Sequence, residues 1–271
     1  MNRNGRRPQP APATPRPSEG ASAPAPYDAP GDEPLTAAAP LTLDEPFRFD
    51  RGLAKRLRRR EVNATEAFTI RDPSSGTYFR ASVKEYDARG GSAVAYERLI
   101  RSPEATVDVT LGCAVPARQR MHLVVQKATE LGVRRIVPLL TDHSVPADAL
   151  PHEQAHAWPG HVARAAKQCR RSSLPHLLPP TPLAAFLASP LFASADLRLF
   201  LDDRSDPAPL PADPPRRIIL LTGPEGGFSD AERAVLSAHA RPWVLGGRVL
   251  RAETAVLVGL TAVHTTWGDF R

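Results

Sequence analysis

The sequence predicts an α/β protein made of two unlike domains, a small β-rich domain and a larger domain with a mostly parallel sheet. Three observations predict this organisation. Between residues 47 and 112, short segments with alternating apolar residues are separated by turn residues. From residue 113 to 271, segments typical of strands alternate with segments typical of helices. Finally, 11 of the 30 prolines lie in residues 1–46, which sets this segment apart from the rest.

Residues 1–46 are rich in Pro, Ala and Ser and contain few large apolar residues. Such a segment buries too little apolar surface to offset the entropy lost on ordering, so we expect a disordered N-terminal extension. It lacks the continuous apolar stretch of a signal peptide. No run of about 18 apolar residues occurs in the chain, so no membrane partner is predicted.

Charge and cysteine content point to an intracellular protein with a polyanionic partner. The whole chain has a net charge of +6, and residues 1–46 are net acidic, so the predicted folded part is strongly basic. A basic surface favours nucleic acid as a partner. Cys113 and Cys169 form no CxxC pair. We therefore predict neither a disulfide framework nor a metal site, and a cytoplasmic location.

The first folded element is predicted to be a basic helix. Six of the ten residues from Arg51 to Arg60 are basic, and Leu53 and Leu57 are four positions apart, which gives one apolar edge. The helix is either an ordinary solvated surface helix or a face that contacts RNA phosphates. In the second interpretation, the RNA-binding residues are Lys55, Arg56, Arg58, Arg59 and Arg60.

The segments after this helix have strand character. "EAFTIRD", "TYFRASVKEY", "GSAVAYERLI" and "DVTLGCAV" contain alternating and β-branched residues, and turn residues separate them. They predict a small antiparallel sheet or barrel that ends near residue 115.

The pattern then changes to alternating helices and strands. An amphipathic helix is predicted over residues 117–133, ended by Gly132 and followed by the strand "RRIVPLLT". A second helix is predicted within 153–170. The remaining predicted elements are the strands "ADLRLFLD" and "PRRIILL", the helix "SDAERAVLSAHA", the strand "PWVLGG" and a last helix near 253–266.

The stretch "LLTGPEGGFSDAE" (220–232) is the strongest candidate for a ligand-binding loop. It follows a predicted parallel strand, where open α/β sheets place their ligands. Ser229 and Glu232 have the spacing of a capping box, so a glycine-rich turn into a capped helix is the simpler alternative. The loop has neither the P-loop lysine nor the dinucleotide glycine pattern, and Glu225 would repel phosphate. A second loop, "LGGR" (245–248), also follows a strand, and the two could hold one small ligand.

These two stretches, "LTGPEGGFSDAE" and "LGGRVLRAETA", resemble the paired signature of the RsmE family. That family consists of knotted methyltransferases of the SPOUT class that act on small-subunit ribosomal RNA. "MHLVVQKATELGV" and "AAKQCRRSSLP" also resemble family motifs, and the resemblance covers about residues 47–270. It implies a PUA-like RNA-binding β-barrel at 47–112 and a SPOUT domain with a trefoil knot at 113–271, one of the rare knotted folds.

The resemblance further implies a homodimer that uses S-adenosyl-L-methionine (SAM) to form 3-methyluridine in 16S rRNA. The candidate catalytic residues for this reaction are Arg171, Glu225 and Arg251, although either arginine could equally well be a phosphate or carboxylate clamp. The implied cofactor-binding residues are Leu221, Thr222, Gly223, Pro224, Gly226, Leu245, Gly246, Leu250 and Thr254. Two alternatives stay open from the residues themselves: methylation of another RNA, or an RNA-binding protein without catalysis.

The chain departs from the family pattern at three places. His143 replaces a common arginine, and "RGLAKRLRR" replaces the family's "HHL" motif. At residues 170–173 the usual "GRNR" is "RRSS", so a glycine and an arginine are lost. None of these departures lies in the two glycine loops.

Overall fold

The computed structural model describes residues 31–206 and 209–270 of the chain. Most of the N-terminal extension predicted to be disordered, residues 1–30, lies outside the described residues. Within the described part, no helix combines the length and the apolar character needed to cross a membrane.

The N-terminal domain is a four-stranded antiparallel sheet that packs against one helix. Its elements are β1 (Pro46–Asp50), α1 (Arg51–Arg59), β2 (Ala67–Arg71), β3 (Tyr78–Tyr86) and β4 (Gly90–Arg98), and the strand order is β1-β4-β3-β2. The predicted basic helix is confirmed. The Asp50 carboxylate begins it by accepting a hydrogen bond from the Leu53 amide at 2.9 Å. Leu53 and Leu57 are buried in the domain core, as their spacing predicts.

Residues 31–46 are ordered and connect the two domains, so the prediction of disorder was wrong for them. Leu35 is fully buried in the N-terminal core. The Asp32 amide donates a hydrogen bond to the Leu174 carbonyl at 3.1 Å, and the Arg71 amide donates one to the Leu35 carbonyl at 2.7 Å. This segment is ordered by one buried leucine and by backbone hydrogen bonds. Its average composition indicates neither of them.

The C-terminal domain is an α/β domain around a parallel sheet. Its elements are β5 (Asp108–Ala114), α2 (Met121–Glu130), β6 (Arg135–Leu140), α3 (Trp158–Gln168), β7 (His176–Leu177), β8 (Thr181–Pro182), α4 (Leu183–Leu187), α5 (Pro190–Ala193), β9 (Leu197–Leu201), β10 (Arg217–Thr222), α6 (Asp230–His239), β11 (Arg241–Trp243) and α7 (Ala252–Thr266). The strand order is β11-β9-β10-β5-β6-β7, and β8 also pairs with β6. The predicted α/β class with a parallel sheet is thereby confirmed. The trefoil knot stays a prediction.

The predicted domain boundary at residues 112 and 113 falls inside β5 and needs correction. The sequence assigned "DVTLGCAV" to the β-rich domain, but β5 pairs in parallel with β10 and β6. A short alternating strand has the same sequence character in either kind of sheet, and only its long-range pairing distinguishes them. The α/β domain therefore begins before Asp108.

Helices cover both faces of the parallel sheet and create two cores. Along β10, Ile218 and Leu220 face a core formed with α2, α3 and α7. Ile219 and Leu221 face the opposite core, which is formed with α4, α5 and α6. Because both faces are buried, only the ends of the strands are free to bind a ligand.

Candidate cofactor site

Three loops at the carboxyl ends of β9, β10 and β11 enclose one pocket. Its lining comes from residues 201–204, residues 222–228, and residues 243–250, together with the first turn of α7. β9 and β10 are neighbours in the sheet, and β11 pairs with β9, so the three loops meet at one edge. The predicted loop "GPEGG" and the predicted loop "LGGR" therefore share one site.

The loop after β10 is a tight turn in which backbone segments approach closely. The Gly227 amide donates a hydrogen bond to the Pro224 carbonyl at 2.9 Å. Gly227 has φ +67°, a conformation that favours glycine. A Cβ atom on Gly223 would lie 3.1 Å from the Gly227 Cα. The glycines are therefore required by the shape of the loop, and α6 follows it with the predicted capping box of Ser229 and Glu232.

The loop after β11 supplies a largely apolar wall. Trp243 lies at its start and is buried, while Leu245, Val249 and Leu250 line the pocket further along. Gly246 has φ +136°, so this position also suits glycine. A wall of this kind suits a flat apolar group held between aliphatic side chains.

The loop after β9 was not identified from the sequence. Asp202, Asp203 and Arg204 line the pocket. Burial raises the pKa of Asp202, but hydrogen bonds from Arg233 at 2.7 Å and from Ser205 at 2.5 Å outweigh it and leave the pKa below its usual value. The available signal was "FLDDR", two carboxylates directly after a buried strand.

Glu225 is held on the rim of the pocket by the loop that precedes α2. Its Oε1 accepts a hydrogen bond from Arg120 Nη1 at 2.7 Å, and its Oε2 accepts one from the Ala117 amide at 3.3 Å. The Arg120 Nε also lies 3.7 Å from a carboxylate oxygen of Glu253, at the start of α7. Sequence reasoning missed Arg120, because nothing in the sequence pairs it with a loop 105 positions away.

Most of the predicted cofactor-binding residues line the pocket. Those that do are Thr222, Gly223, Pro224, Gly226, Leu245, Gly246 and Leu250, and Glu225 lines it as well. Leu221 lies beneath the loop in the core next to α6. Arg251 and Thr254 are exposed at the start of α7, beside the lining residues Ala252 and Ala255. The structure therefore brings Glu225 to the pocket and leaves Arg251 next to it.

Arg171 lies away from the pocket, in a buried cluster between the domains. Its guanidinium donates to the Glu104 carboxylate at 3.0 and 3.2 Å and to the carbonyls of Thr129 and Val133 at 3.0 Å each. All of its donor nitrogens are thus engaged inside the protein, so this placement agrees with the predicted carboxylate clamp and differs from the predicted catalytic role. The pairing partner Glu104 lies 67 positions earlier, which no local pattern could indicate.

The basic helix α1 divides into exposed and buried arginines. Lys55, Arg58 and Arg59 are exposed, as an RNA-binding face requires. Arg60 is only 2% exposed and donates to the Asp32 carboxylate and to the Ser172 carbonyl. Arg56 also contacts Asp32. Arg60 is thus engaged inside the protein and unavailable to RNA, which differs from the expected role.

The pocket, the parallel sheet and the basic N-terminal domain are consistent with an enzyme that modifies RNA, and comparison with known families establishes the class. A model of the RNA methyltransferase domain matches residues 103–264, more than half of the chain. The chain therefore belongs to the RNA methyltransferase family.

The resemblance to the RsmE family is confirmed by relatives named ribosomal RNA small subunit methyltransferase E. The relative from Synechocystis is 30% identical over 73% of this chain and 66% of its own length. The relative from Aquifex aeolicus is 28% identical over 76% of this chain and 88% of its own length.

Solved structures share the fold over nearly their whole length. A protein of Legionella pneumophila, solved in complex with the bound cofactor SAM, is 28% identical and superimposes with a TM-score of 0.63. The match covers 87% of this chain and 98% of that protein. A second structure with the same TM-score is a ribosomal RNA small subunit methyltransferase E from Neisseria gonorrhoeae, bound to SAM. It is 24% identical, and the match covers 89% of this chain and 100% of the Neisseria chain.

Proposed function

We propose that this protein is a SAM-dependent methyltransferase that methylates N3 of a uridine in the 16S rRNA of the small ribosomal subunit. The observation that carries the proposal is the single pocket formed by the two glycine loops, in a chain that belongs to the RNA methyltransferase family. The names of the relatives support rRNA of the small subunit as the substrate. The choice of uridine N3 rests on the resemblance to the RsmE family.

The chemistry of the pocket fits SAM. Leu245, Val249 and Leu250 offer an apolar wall for adenine, and the backbone groups of residues 222–227 can hydrogen-bond to its edge. The carboxylate of Asp203 suits ribose hydroxyls and the cofactor's positive charges. A carboxylate at this place disfavours a nucleotide triphosphate, which separates the site from phosphate-binding loops.

When bound, SAM supplies an electrophilic methyl group on a sulfonium. The protein contributes position and electrostatics, because methyl transfer is an in-line displacement. The glycine loops fix the cofactor end of the reaction. The uracil N3 proton has to leave, and the negative charge that spreads to the uracil oxygens needs a cation nearby.

Residues on the rim of the pocket can meet these needs. Glu225, held between Arg120 and the Ala117 amide, has a fixed carboxylate that orients the uracil or accepts its proton. Arg251, exposed at the start of α7, is the candidate cation for the uracil oxygens. Arg171 is excluded from this proposal, because its guanidinium is buried and bonded to Glu104.

The proposal includes a homodimer and a cytoplasmic location. Leu123 on α2 and Val258 on α7 are large apolar side chains that are 40% and 38% exposed, and these two helices pack together. An exposed apolar surface on neighbouring helices supports a contact between two copies of the chain.

The test of this function is methyl transfer together with cofactor binding. SAM binding to the purified protein is measured by calorimetry, and transfer of labelled methyl groups is measured on small ribosomal subunits that lack the modification. We expect binding and transfer with the wild-type protein. Glu225→Gln should bind SAM and transfer slowly. Wild-type protein that neither binds SAM nor labels the subunits would contradict the proposal.

A further inference from the structure

Two arginines adopt a backbone conformation that normally favours glycine. Arg118 has φ +59° in the loop before α2, and Arg170 has φ +65° directly after α3. An arginine in this region is strained by contact between its Cβ and the backbone, which glycine avoids. Arg170 also stands where the related family motif carries glycine. A glycine at either position would relieve this backbone strain. The presence of arginine instead indicates that its side chain has a function.

Neither side chain has a use inside the protein. Both are exposed, and across residues 31–206 and 209–270 neither guanidinium makes an ion pair or a hydrogen bond. Their contacts come from the backbone, which glycine would also provide. The Arg118 amide donates to Glu153 at 3.2 Å, and the Arg170 carbonyl accepts from Thr69 Oγ1 at 2.8 Å. The two charges are therefore available to a partner outside the protein.

Helix α3 joins the positions of the two arginines. Its 11 residues rise about 16 Å along the axis, and Arg164 is exposed on it without a partner among the described residues. At its end, Lys167 donates to the Glu61 carbonyl at 2.6 Å, which places α3 against the end of α1. At the other end, Arg118 is close in sequence to Arg120, which contacts Glu225 at the pocket.

Two of the carboxylates near this surface are already engaged. The Glu66 carboxylate pairs with Lys167 at 2.7 Å. The Glu153 carboxylate accepts hydrogen bonds from the backbone amides of Arg118 and Gln119. Arg118, Arg164 and Arg170 are thus left as unpaired positive charges.

We propose that Arg118, Arg164 and Arg170 form an RNA-binding track, hereafter the α3 track, which contacts phosphates between helix α1 and the cofactor pocket. Arginine suits phosphate because its planar guanidinium can donate two parallel hydrogen bonds. The track would guide the RNA strand from the N-terminal domain to the reacting base. This inference rests on the proposed function, in which the substrate is ribosomal RNA.

The decisive variants are Arg118→Gly and Arg170→Gly, because glycine relieves the strain while removing the charge. We expect each melting temperature to equal or exceed that of the wild type. Binding to small ribosomal subunits should weaken roughly fivefold to tenfold per arginine at 0.1 M salt, and the salt slope should fall by about 1 for each charge removed. Arg118→Lys and Arg170→Lys keep the charge and should retain most of the slope. Arg164→Ala should behave like the glycine variants.

Arg216→Ala is the matched control, because Arg216 is also exposed, its side chain has no partner in the described part of the chain, and it lies at the amino end of β10, outside the proposed track. It should bind small subunits as the wild type does. Glycine variants with the wild-type salt slope would overturn the α3 track, even if methyl transfer is normal. Wild-type protein that binds small subunits without methylating them would contradict the proposed function, while the variants would still decide the track. Wild-type protein that binds no RNA would overturn both.

Discussion

The loop after β10 should lose its affinity for SAM when one methyl group is added at Gly223. In Gly223→Ala, the new Cβ would lie 3.1 Å from the Gly227 Cα and 3.2 Å from both the Gly227 carbonyl carbon and the Phe228 nitrogen. These are backbone atoms of a turn closed by the 2.9 Å hydrogen bond from the Gly227 amide to the Pro224 carbonyl. They can give way only if the turn opens.

Forcing a carbon into a packed position of this kind costs about 1–3 kcal/mol. The free protein can relax the exposed loop, whereas bound SAM needs the closed turn, so the cost reduces affinity. One tenfold change corresponds to about 1.4 kcal/mol, which gives a loss of roughly 5-fold to 150-fold in SAM affinity.

Titration calorimetry with SAM measures this loss, and Gly247→Ala is the matched control from the neighbouring loop. A Cβ on Gly247 would meet no atom within 4 Å. Its affinity should change by about twofold or less, as for an ordinary surface substitution. Melting curves verify that both variants are folded. A folded Gly223→Ala protein that binds SAM as tightly as Gly247→Ala would refute this account of the loop.

Three further predictions concern charged residues, two at the junction of the domains and one inside the N-terminal domain. Arg171→Ala should lower the free energy of unfolding by about 3–5 kcal/mol, because it leaves the Glu104 carboxylate without its ion-pair partner. The SAM affinity of the folded variant should stay at the wild-type level. Urea denaturation measures the stability and calorimetry the affinity, and a stable but inactive variant would restore Arg171 to a catalytic role. Arg60→Ala should destabilise the protein, because the Asp32 carboxylate loses its buried partner, and it should leave the salt slope of RNA binding unchanged. Arg58→Ala should instead reduce that slope by about 1. The opposite pattern would contradict the burial of Arg60. Hydrogen bonds from Ser74, Ser75 and the Leu41 amide hold the pKa of Asp72 below its usual value of 3.8. The stabilisation by its carboxylate is therefore complete above pH 3.8 and is lost progressively as the pH falls from there through the lower pKa of the folded protein. Asp72→Asn should therefore cost about 1–3 kcal/mol at pH 7 and progressively less below pH 4, as measured by urea denaturation across that range, and a cost that did not change with pH would disprove the assignment.

The pocket could be predicted as far as local sequence reports on the ends of strands. "GPEGG" and "LGGR" each follow a buried strand, and glycines at those places indicate close backbone approach, so both loops were found. The Asp202 loop has the same position in the fold but lacks glycine, so its one local signal is the pair of carboxylates in "FLDDR". The position of β9 between β10 and β11 is what brings this loop to the pocket, and that pairing is long-range.

The errors concern residues whose partners are far away in the sequence. Arg60 and Arg171 have the character of surface arginines, yet Asp32 and Glu104 bury them at the junction of the domains. Leu35 looks like an isolated residue in a proline-rich segment, yet it fills the N-terminal core. Periodicity and composition describe short windows, and these contacts join residues that no short window contains.

The central claim is the methylation of uridine N3 in small-subunit rRNA. The most direct measurement incubates the protein and SAM with small ribosomal subunits that lack the modification, then digests the rRNA and identifies its nucleosides by mass spectrometry. The account predicts 3-methyluridine that appears with the wild-type protein and diminishes strongly with Glu225→Gln. A different methylated nucleoside, or none while SAM is tightly bound, would contradict it.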